Sequence, residues 1–222
     1  MCFSASASFT ASAILGAVGV ATISRTKHRN VLLLSAIPLF FALQQFVEGW
    51  IWVSLVRGPD YTLALTHIYL FFALFFWPIY IPLMVLLLEP SKIRRILISL
   101  FLIGGTSVGT ILYANFLREP SAAMIVNKCL YYTKEITRPE LLKYLYIMVT
   151  VGAGLISSRM IVKIFCLLTL VGSIITYYFF LVNFTSVWCF FAAIISVVLY
   201  FYPEEIDRLR IKKVSPQKYE QK

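Results

Sequence analysis

Seven long apolar stretches, separated by short polar connections, constrain this chain more than any other feature of its sequence. They span approximately residues 4–23, 31–55, 62–88, 96–116, 141–158, 161–182 and 185–202. A helix needs roughly 20 apolar residues to cross a hydrocarbon core of about 30 Å. Because an unpaired backbone amide is costly in lipid, such stretches are expected to be helical. The pattern therefore predicts an all-α, polytopic membrane protein with a seven-helix transmembrane domain over residues 1–202.

The composition favours folding in lipid rather than in water. Hydrophobic residues make up 60% of the 222 residues and charged residues 14%, and the mean hydropathy is +0.83. Soluble domains are roughly 45–50% apolar and about 25% charged. The first residues lack the positively charged start of a secretory signal peptide, so we expect them to belong to the first helix.

Two of the stretches depart from the simplest pattern. The fifth, around residue 150, is the shortest, and six helices with a re-entrant segment are an alternative to seven. The third is longer than a bilayer requires and contains Pro78 and Pro82. We therefore expect a kink or a tilt in the third helix.

Basic residues are concentrated on one side of the predicted bundle. Fourteen of them lie there: Arg25, Lys27, Arg29, Lys92, Arg94, Arg95, Arg159, Lys163, Arg208, Arg210, Lys212, Lys213, Lys218 and Lys222. The opposite side carries six basic residues, nearly balanced by five acidic ones. Since cytoplasmic loops are enriched in lysine and arginine, we expect the N-terminus outside and the C-terminus in the cytoplasm.

The net charge of +10 is therefore a topology signal, and no nucleic-acid partner is expected. Residues 203–222 form a basic cytoplasmic tail that is either solvated or in contact with anionic lipid. Membrane lipids are accordingly expected partners of this chain.

The second stretch contains two amides and a carboxylate where a transmembrane helix is normally apolar. Gln44, Glu48 and Trp52 are spaced four residues apart and share one helix face, with Gln45 beside them. Glu48 lies roughly 10 Å inside the outer end of the helix at about 1.5 Å per residue. A carboxylate at this depth is costly unless it is paired, protonated or hydrated, and such residues usually mark function. The alternative is that Glu48 reaches the interface or hydrogen-bonds to neighbouring helices.

The first stretch carries small residues at every fourth position, beginning with Ser4. The stripe consists of Ser4, Ser8, Ser12 and Gly16. Small residues on one face allow a second helix to approach closely. The stripe therefore serves either helix packing or, near Ser4 and Ser8, the polar wall of a cavity.

His67 and Trp188 are further candidates near the outer side. His67 is expected at a depth similar to that of Glu48, because the second and third helices are antiparallel. The two side chains could then relay protons as a carboxylate–imidazole pair, or His67 could be a structural group. Trp188 fits either an interfacial aromatic belt or a cavity wall. A metal site formed by Cys2, Glu48 and His67 is conceivable, although no spacing selects it.

The four cysteines show no metal-finger spacing and no Cys-x-x-Cys pair. Cys2, Cys129 and Cys189 are expected near the outer side, and Cys166 in the inner half of the sixth helix. In an oxidising compartment, two of the outer three could form a disulfide. No motif indicates a cofactor.

Four sequence strings resemble a group of small bacterial membrane proteins of unknown function. These strings are Met1-Cys-Phe-Ser-Ala-Ser-Ala-Ser-Phe9, Gln44-Gln-Phe-Val-Glu-Gly-Trp50, Phe75-Phe-Trp-Pro78 and Ser186-Val-Trp-Cys-Phe-Phe-Ala192. The resemblance spans most of the chain and implies a multi-pass protein of the bacterial inner membrane. It implies no activity, because none is known for that group.

These observations lead to an outward-open polar pocket among the first, second, third and seventh helices. Its expected ligand-binding residues are Ser4, Gln44, Gln45, Glu48, His67 and Trp188. One hypothesis is binding or translocation of a small polar solute with Glu48 as its proton or cation partner. A second is an intramembrane enzyme that uses Glu48 and His67 on a lipid or quinone-like substrate. A third is an accessory subunit of an oligomer or a larger membrane complex.

Overall fold

The computed structural model describes residues 4–27, 29–58, 61–132 and 140–201. Cys2 and the predicted basic tail at residues 203–222 lie outside the described residues. Within these ranges the chain forms seven helices: α1 Ala5–Ser24, α2 Leu32–Arg57, α3 Thr62–Leu88, α4 Lys92–Arg118, α5 Glu140–Ile156, α6 Met160–Phe179 and α7 Leu181–Phe201. All except α5, which has 17 residues, are long and apolar enough to cross a membrane. The prediction of an apolar helical bundle is confirmed.

Contacts between helix ends show that successive helices alternate in direction. Tyr80, near the end of α3, donates a hydrogen bond of 2.7 Å to the carbonyl of Leu33 at the start of α2. Arg94, near the start of α4, donates to the carbonyl of Ile156 at the end of α5 (3.3 Å). The ends of α1, α3 and α5 and the starts of α2, α4 and α6 therefore share one end of the bundle. We call it the basic end because Arg25, Lys92, Arg94, Arg159 and Lys163 lie there.

A β-hairpin marks the opposite end, which we call the hairpin end. Strands β1 (Ala123–Val126) and β2 (Cys129–Tyr132) pair in antiparallel fashion within the connection between α4 and α5. The two turn residues, Asn127 and Lys128, have φ values of 52° and 61°. Positive φ at both central residues is typical of the type I′ turns that suit the twist of a two-residue hairpin.

The hairpin is attached to two helices. The Ala123 amide donates to Thr66 Oγ1 in α3 at 3.1 Å. Asn183 Nδ2, at the start of α7, donates to the carbonyl of Leu130 at 3.0 Å. These bonds hold the hairpin against the bundle, so this connection is a packed element rather than only a polar loop.

The small-residue stripe of α1 packs against α2. Ser12 Oγ donates to the carbonyl of Ala42 at 2.8 Å. A Cβ atom built on Gly19 would lie only 2.8 Å from the backbone nitrogen of Leu39. The stripe thus allows close helix packing, and Gly19, three residues after its last member Gly16, continues the close contact.

Helix α3 contains a π-helical segment over Phe71–Phe76, just before Pro78 and Pro82. A proline lacks the amide hydrogen that would bond to the carbonyl four residues earlier. Pro82 therefore leaves the carbonyl of Pro78 without its helical partner. Gly105 of α4 packs against this carbonyl, and Gly109 lies close to the carbonyls of Leu74 and Phe75.

Large apolar side chains lie both inside and outside the bundle. Leu34, Ile37 and Met84 are fully buried, whereas Ile93 and Tyr178 are more than 70% exposed. An apolar exterior of this extent suits a protein surrounded by lipid rather than water.

Candidate functional site

Three polar residues of α2 are completely buried in the half of the bundle nearer the hairpin end. Gln44 and Glu48 share a face because they are one helical turn apart, and Gln45 projects beside them. All three side chains are 0% exposed. We call Gln44, Gln45 and Glu48, with the residues that contact them, the polar cluster.

Two other helices contribute hydrogen-bond donors to this cluster. Ser186 Oγ of α7 donates to Glu48 Oε1 at 2.5 Å. Trp77 Nε1 of α3 donates to Gln44 Oε1 at 2.7 Å. The side chains of Gln45 and of Tyr69 in α3 also face the Glu48 carboxyl group. The cluster therefore joins α2, α3 and α7.

Several buried polar atoms around Glu48 have no hydrogen-bond partner among the described residues. They are Glu48 Oε2, Gln44 Nε2, both amide atoms of Gln45, Trp52 Nε1 and Ser8 Oγ. An unpaired buried polar atom costs about 1–3 kcal/mol, and natural proteins contain few of them. A site for a polar ligand or for water would require such a concentration of unpaired polar atoms.

Ser8 belongs to this region through the antiparallel register of α1 and α2. Ser12 contacts Ala42, and the ring of Phe9 would meet a Cβ on Gly49 at 2.7 Å. Ser8 lies one residue beyond Phe9 towards the hairpin end, so the same register places it between the depths of Phe46 and Trp50, and thus at the depth of Glu48.

The hairpin closes the cluster from the hairpin end. The ring of Tyr132 in β2 stacks on Tyr69, with centroids 4.9 Å apart and planes 12° from parallel. Cys129 of β2 is 1% exposed. Burial, and secondarily the negative charge of Glu48, raise the pKa of the Cys129 thiol. The expected outward-open pocket is thus occluded in this structure, because Tyr69 faces Glu48 and Tyr132 of the hairpin stacks on Tyr69.

The other expected ligand-binding residues lie elsewhere. Ser4 accepts a hydrogen bond from the Ala7 amide at 3.2 Å and caps α1. Trp188 Nε1 donates to the carbonyl of Thr169 at 3.1 Å, which turns its indole towards α6. His67 packs its ring edge-on against Phe116 of α4, with centroids 4.7 Å apart. The polar cluster consequently contains only the three α2 residues of the six expected.

The carboxylate–imidazole pair is not formed in this structure. Glu48 Oε1 accepts from Ser186, whereas Glu48 Oε2 and His67 Nε2 have no hydrogen-bond partner among the described residues. Within those residues, no three His, Cys, Asp or Glu side chains lie close enough to hold a metal ion. No disulfide joins Cys129 to Cys189, and Cys2 lies outside the described residues.

A crevice lined chiefly by α5, α6 and α7, with α3 and α4 contributing to its middle part, adjoins the polar cluster. It consists of three cavities in a row. The first and second share the lining residues Tyr146, Trp188 and Cys189, and the second and third share Lys143, Phe184 and Thr185. Its deep end, near Phe165 and Ala192, is apolar. The ring of Trp77 forms part of the deep wall, while its indole nitrogen bonds to Gln44. Trp77 therefore separates the crevice from the cluster.

A second buried carboxylate, Glu89, lies at the basic end. It is 3% exposed and accepts hydrogen bonds from Ser158 N (2.7 Å) and Ser158 Oγ (2.5 Å), with longer ones from Ser157 and Ser91. Burial alone would raise the pKa of Glu89, but these hydrogen bonds together hold it below its usual value. Glu89 thus joins the α3–α4 turn to the α5–α6 turn.

Sequence reasoning did not identify Ser186, Trp77 or Glu89 as members of these sites. Ser186 is an ordinary serine in an apolar helix, and its role depends on a contact with a residue 138 positions away. Glu89 did carry a signal, because it is an acidic residue in a connection otherwise rich in basic ones.

The comparisons with known proteins identify a family without an activity. No curated protein and no solved structure matches this chain. A family of unknown function, DUF6629, matches residues 1–213. This finding agrees with the resemblance to an uncharacterised group, and because the match covers nearly the whole chain, the protein belongs to the family of unknown function DUF6629.

Proposed function

We propose that this protein binds and translocates a small polar solute at the polar cluster, with Glu48 as the proton or cation partner. The observation that carries this proposal is the group of unpartnered, fully buried polar atoms around Glu48. A carboxylate that can gain and lose a proton inside a bilayer is typical of transport pathways. The two amides supply both donors and acceptors, which suits a polar solute better than an apolar one.

The proposal includes seven crossings of a bacterial inner membrane, with the N-terminus outside and the basic end on the cytoplasmic side. Helix α5 spans about 25 Å at 1.5 Å per residue, close to the thickness of the hydrocarbon core. Its last residue contacts Arg94 at the basic end. Near its first residues, Tyr144 lies 3.5 Å from the hydroxyl of Tyr177 at the end of α6. Both contacts favour a helix that runs the whole length of the bundle.

Access to the cluster would alternate between the two ends of the bundle. At the hairpin end, the Tyr69–Tyr132 stack covers Glu48. At the basic end, the bonds of Glu89 hold two turns together. Opening one closure while the other stays shut is the requirement for carrier-type translocation. The ionised carboxylate of Glu48 would bind a proton or a cation together with the solute.

The test is a transport measurement on purified protein in liposomes. Solid-supported membrane electrophysiology records charge movement when a panel of amino acids, sugars and small cations is applied at several pH values. We expect a pH-dependent signal for at least one solute, and its loss in Glu48→Gln. Glu119→Gln, which alters an exposed glutamate at the end of α4, is the matched control and should retain the signal.

Two results would count against this role. A Glu48→Gln variant that folds and still shows pH-dependent transport removes Glu48 as the coupling group. A wild-type protein that moves no solute in the panel, but converts a membrane-dissolved compound, favours the enzyme instead.

That enzyme, acting on a lipid or quinone-like substrate, is the second candidate because an apolar crevice reaches Trp77 beside the cluster. In this version Glu48 would be the acid or base, and His67, which packs on Phe116, would not assist it. Mass spectrometry of quinones and lipids incubated with wild type and Glu48→Gln would detect turnover. Identical product profiles would exclude this use of Glu48.

A further inference from the structure

The crevice between α5, α6 and α7 has a deep end suited to a hydrocarbon chain. Phe165, Val151 and Ala192 line this end, where the exposed surface is almost entirely apolar. Apolar cavities of this kind stay dry and bind apolar molecules rather than water.

The mouth of the crevice has the opposite character. Lys143 lines the mouth together with Tyr144 and Tyr177. Among the described lining residues, Lys143 is the one with a charged side chain. A lysine at the membrane interface attracts anionic headgroups, and tyrosine hydroxyls can donate hydrogen bonds to their oxygens.

The mouth also opens sideways. Tyr144 is 54% and Leu181 46% exposed on the outside of the bundle. In a membrane these side chains face lipid, so a lipid chain can enter without passing through water.

We propose that this crevice binds one acyl chain of an anionic phospholipid, with the headgroup at Lys143 and the chain passing Trp188 towards Ala192. The site is separate from the polar cluster, since the ring of Trp77 lies between them. Lipid binding here depends neither on solute translocation nor on turnover at Glu48.

The test uses delipidated protein and phospholipids with brominated chains, because bromine quenches tryptophan fluorescence on contact. The signal of Trp188 is the difference between wild type and Trp188→Phe. Brominated phosphatidylglycerol should quench Trp188 in a saturable manner. Brominated phosphatidylcholine should require about fivefold more lipid, as expected for roughly 1 kcal/mol from one lysine.

Variants separate the headgroup from the chain. Lys143→Gln should reduce the preference for phosphatidylglycerol to the level of phosphatidylcholine, and Lys143→Arg should retain it. Lys163→Gln, at the basic end, is the matched control and should behave as wild type. Ala192→Leu, which fills the deep end, should weaken quenching by both lipids.

Two outcomes would overturn the proposal of a lipid site, and a third would not. Equal quenching by the two lipids in wild type would exclude the headgroup site. This comparison uses only the wild-type protein, so it does not depend on the folding of a variant. Soluble glycerol phosphate that binds while brominated chains leave Trp188 unquenched would reveal an anion site without a chain. Saturable lipid binding in a protein that transports nothing would contradict only the proposed function.

Discussion

At the scale of single residues, the hydrogen bond from Trp77 to Gln44 is the contact by which α3 supports the polar cluster. It is 2.7 Å long and fully buried. We expect Trp77→Phe to keep most of the packing but to leave the Gln44 amide oxygen unpaired. The loss should be about 1–3 kcal/mol in the free energy of unfolding. Reversible unfolding in mixed micelles would measure it.

The control for this change is Trp50→Phe. Trp50 lies on the same bundle but is 40% exposed, and its ring contacts are with Phe9 and Phe46. A surface substitution of this kind usually changes stability by less than about 0.5 kcal/mol. Equal effects of the two changes would mean that the indole donor of Trp77 contributes no special stability.

The sequence predicts those residues of the polar cluster whose unusual character is visible from their immediate neighbours in the chain. Gln44, Gln45 and Glu48 stand out because polar groups in an apolar helix are costly, and that cost is visible within one turn. His67 illustrates the limit of such reasoning. Its depth follows from the short α2–α3 connection, but its direction depends on the face that α3 presents to α4, where Phe116 meets it.

At the scale of elements, the packing of α3 on α4 depends on Gly105. A Cβ atom there would lie 1.9 Å from the carbonyl oxygen of Pro78, a backbone atom that cannot rotate away. Gly105→Ala must therefore push the helices apart, and we expect a loss of at least about 1–3 kcal/mol, as for an overpacked core. The same unfolding measurement would detect it.

Gly16→Ala is the comparison for this variant. Its Cβ atom would meet only Ala42, at an ordinary contact distance of 3.9 Å. The substitution should therefore be tolerated, and alanine also favours the helix by up to about 1 kcal/mol. If Gly105→Ala were as stable as Gly16→Ala, the result would contradict the close approach of α4 to the Pro78 carbonyl.

A second prediction at this scale concerns Glu89, which joins two turns at the basic end. Its pKa lies below the ordinary value of 4.5, so the ionised form stabilises the fold. That contribution is complete above pH 4.5 and is lost as the pH falls through the lowered pKa. We expect Glu89→Gln to cost about 1.5–3 kcal/mol at neutral pH, as for hydrogen bonds to a charged group.

The pH dependence distinguishes charge from shape. The stability difference between wild type and Glu89→Gln should shrink on acidification, because the protonated wild type resembles the amide. Glu119→Gln, at an exposed site, should show little difference at any pH. A difference for Glu89→Gln that stays constant into acid would show that ionisation of Glu89 does not stabilise the turns.

The elements themselves differ in how far the sequence predicts them. The helices follow from long apolar runs, because lipid leaves the backbone no other way to satisfy its amides. The hairpin was not predicted, since Leu130 and Tyr132 are buried through contacts with distant helices rather than by a local alternation. The π-helical turn at Phe71–Phe76 likewise has no local signal beyond the prolines that follow it.

At the scale of the whole molecule, successive helices run in opposite directions between the basic end and the hairpin end, and this arrangement is the same for either orientation in a membrane. The excess of basic residues at one end orients the bundle, through the preference of lysine and arginine for the cytoplasmic side. Whether α5 crosses completely decides if Asn127 and Met160 lie on opposite sides. Cysteine accessibility in intact cells tests both points together.

The experiment uses Asn127→Cys, at the hairpin turn, and Met160→Cys, at the start of α6, each in a Cys2→Ala background. Asn127 is exposed and Met160 is 62% exposed, whereas Cys129, Cys166 and Cys189 are at most 6% exposed and should label slowly. A membrane-impermeant maleimide added outside should modify Asn127→Cys at once and Met160→Cys only after permeabilisation. The reverse pattern would keep seven crossings but invert the orientation. Labelling of both variants from outside would show that α5 does not cross, and the polar cluster would then belong to a six-helix protein.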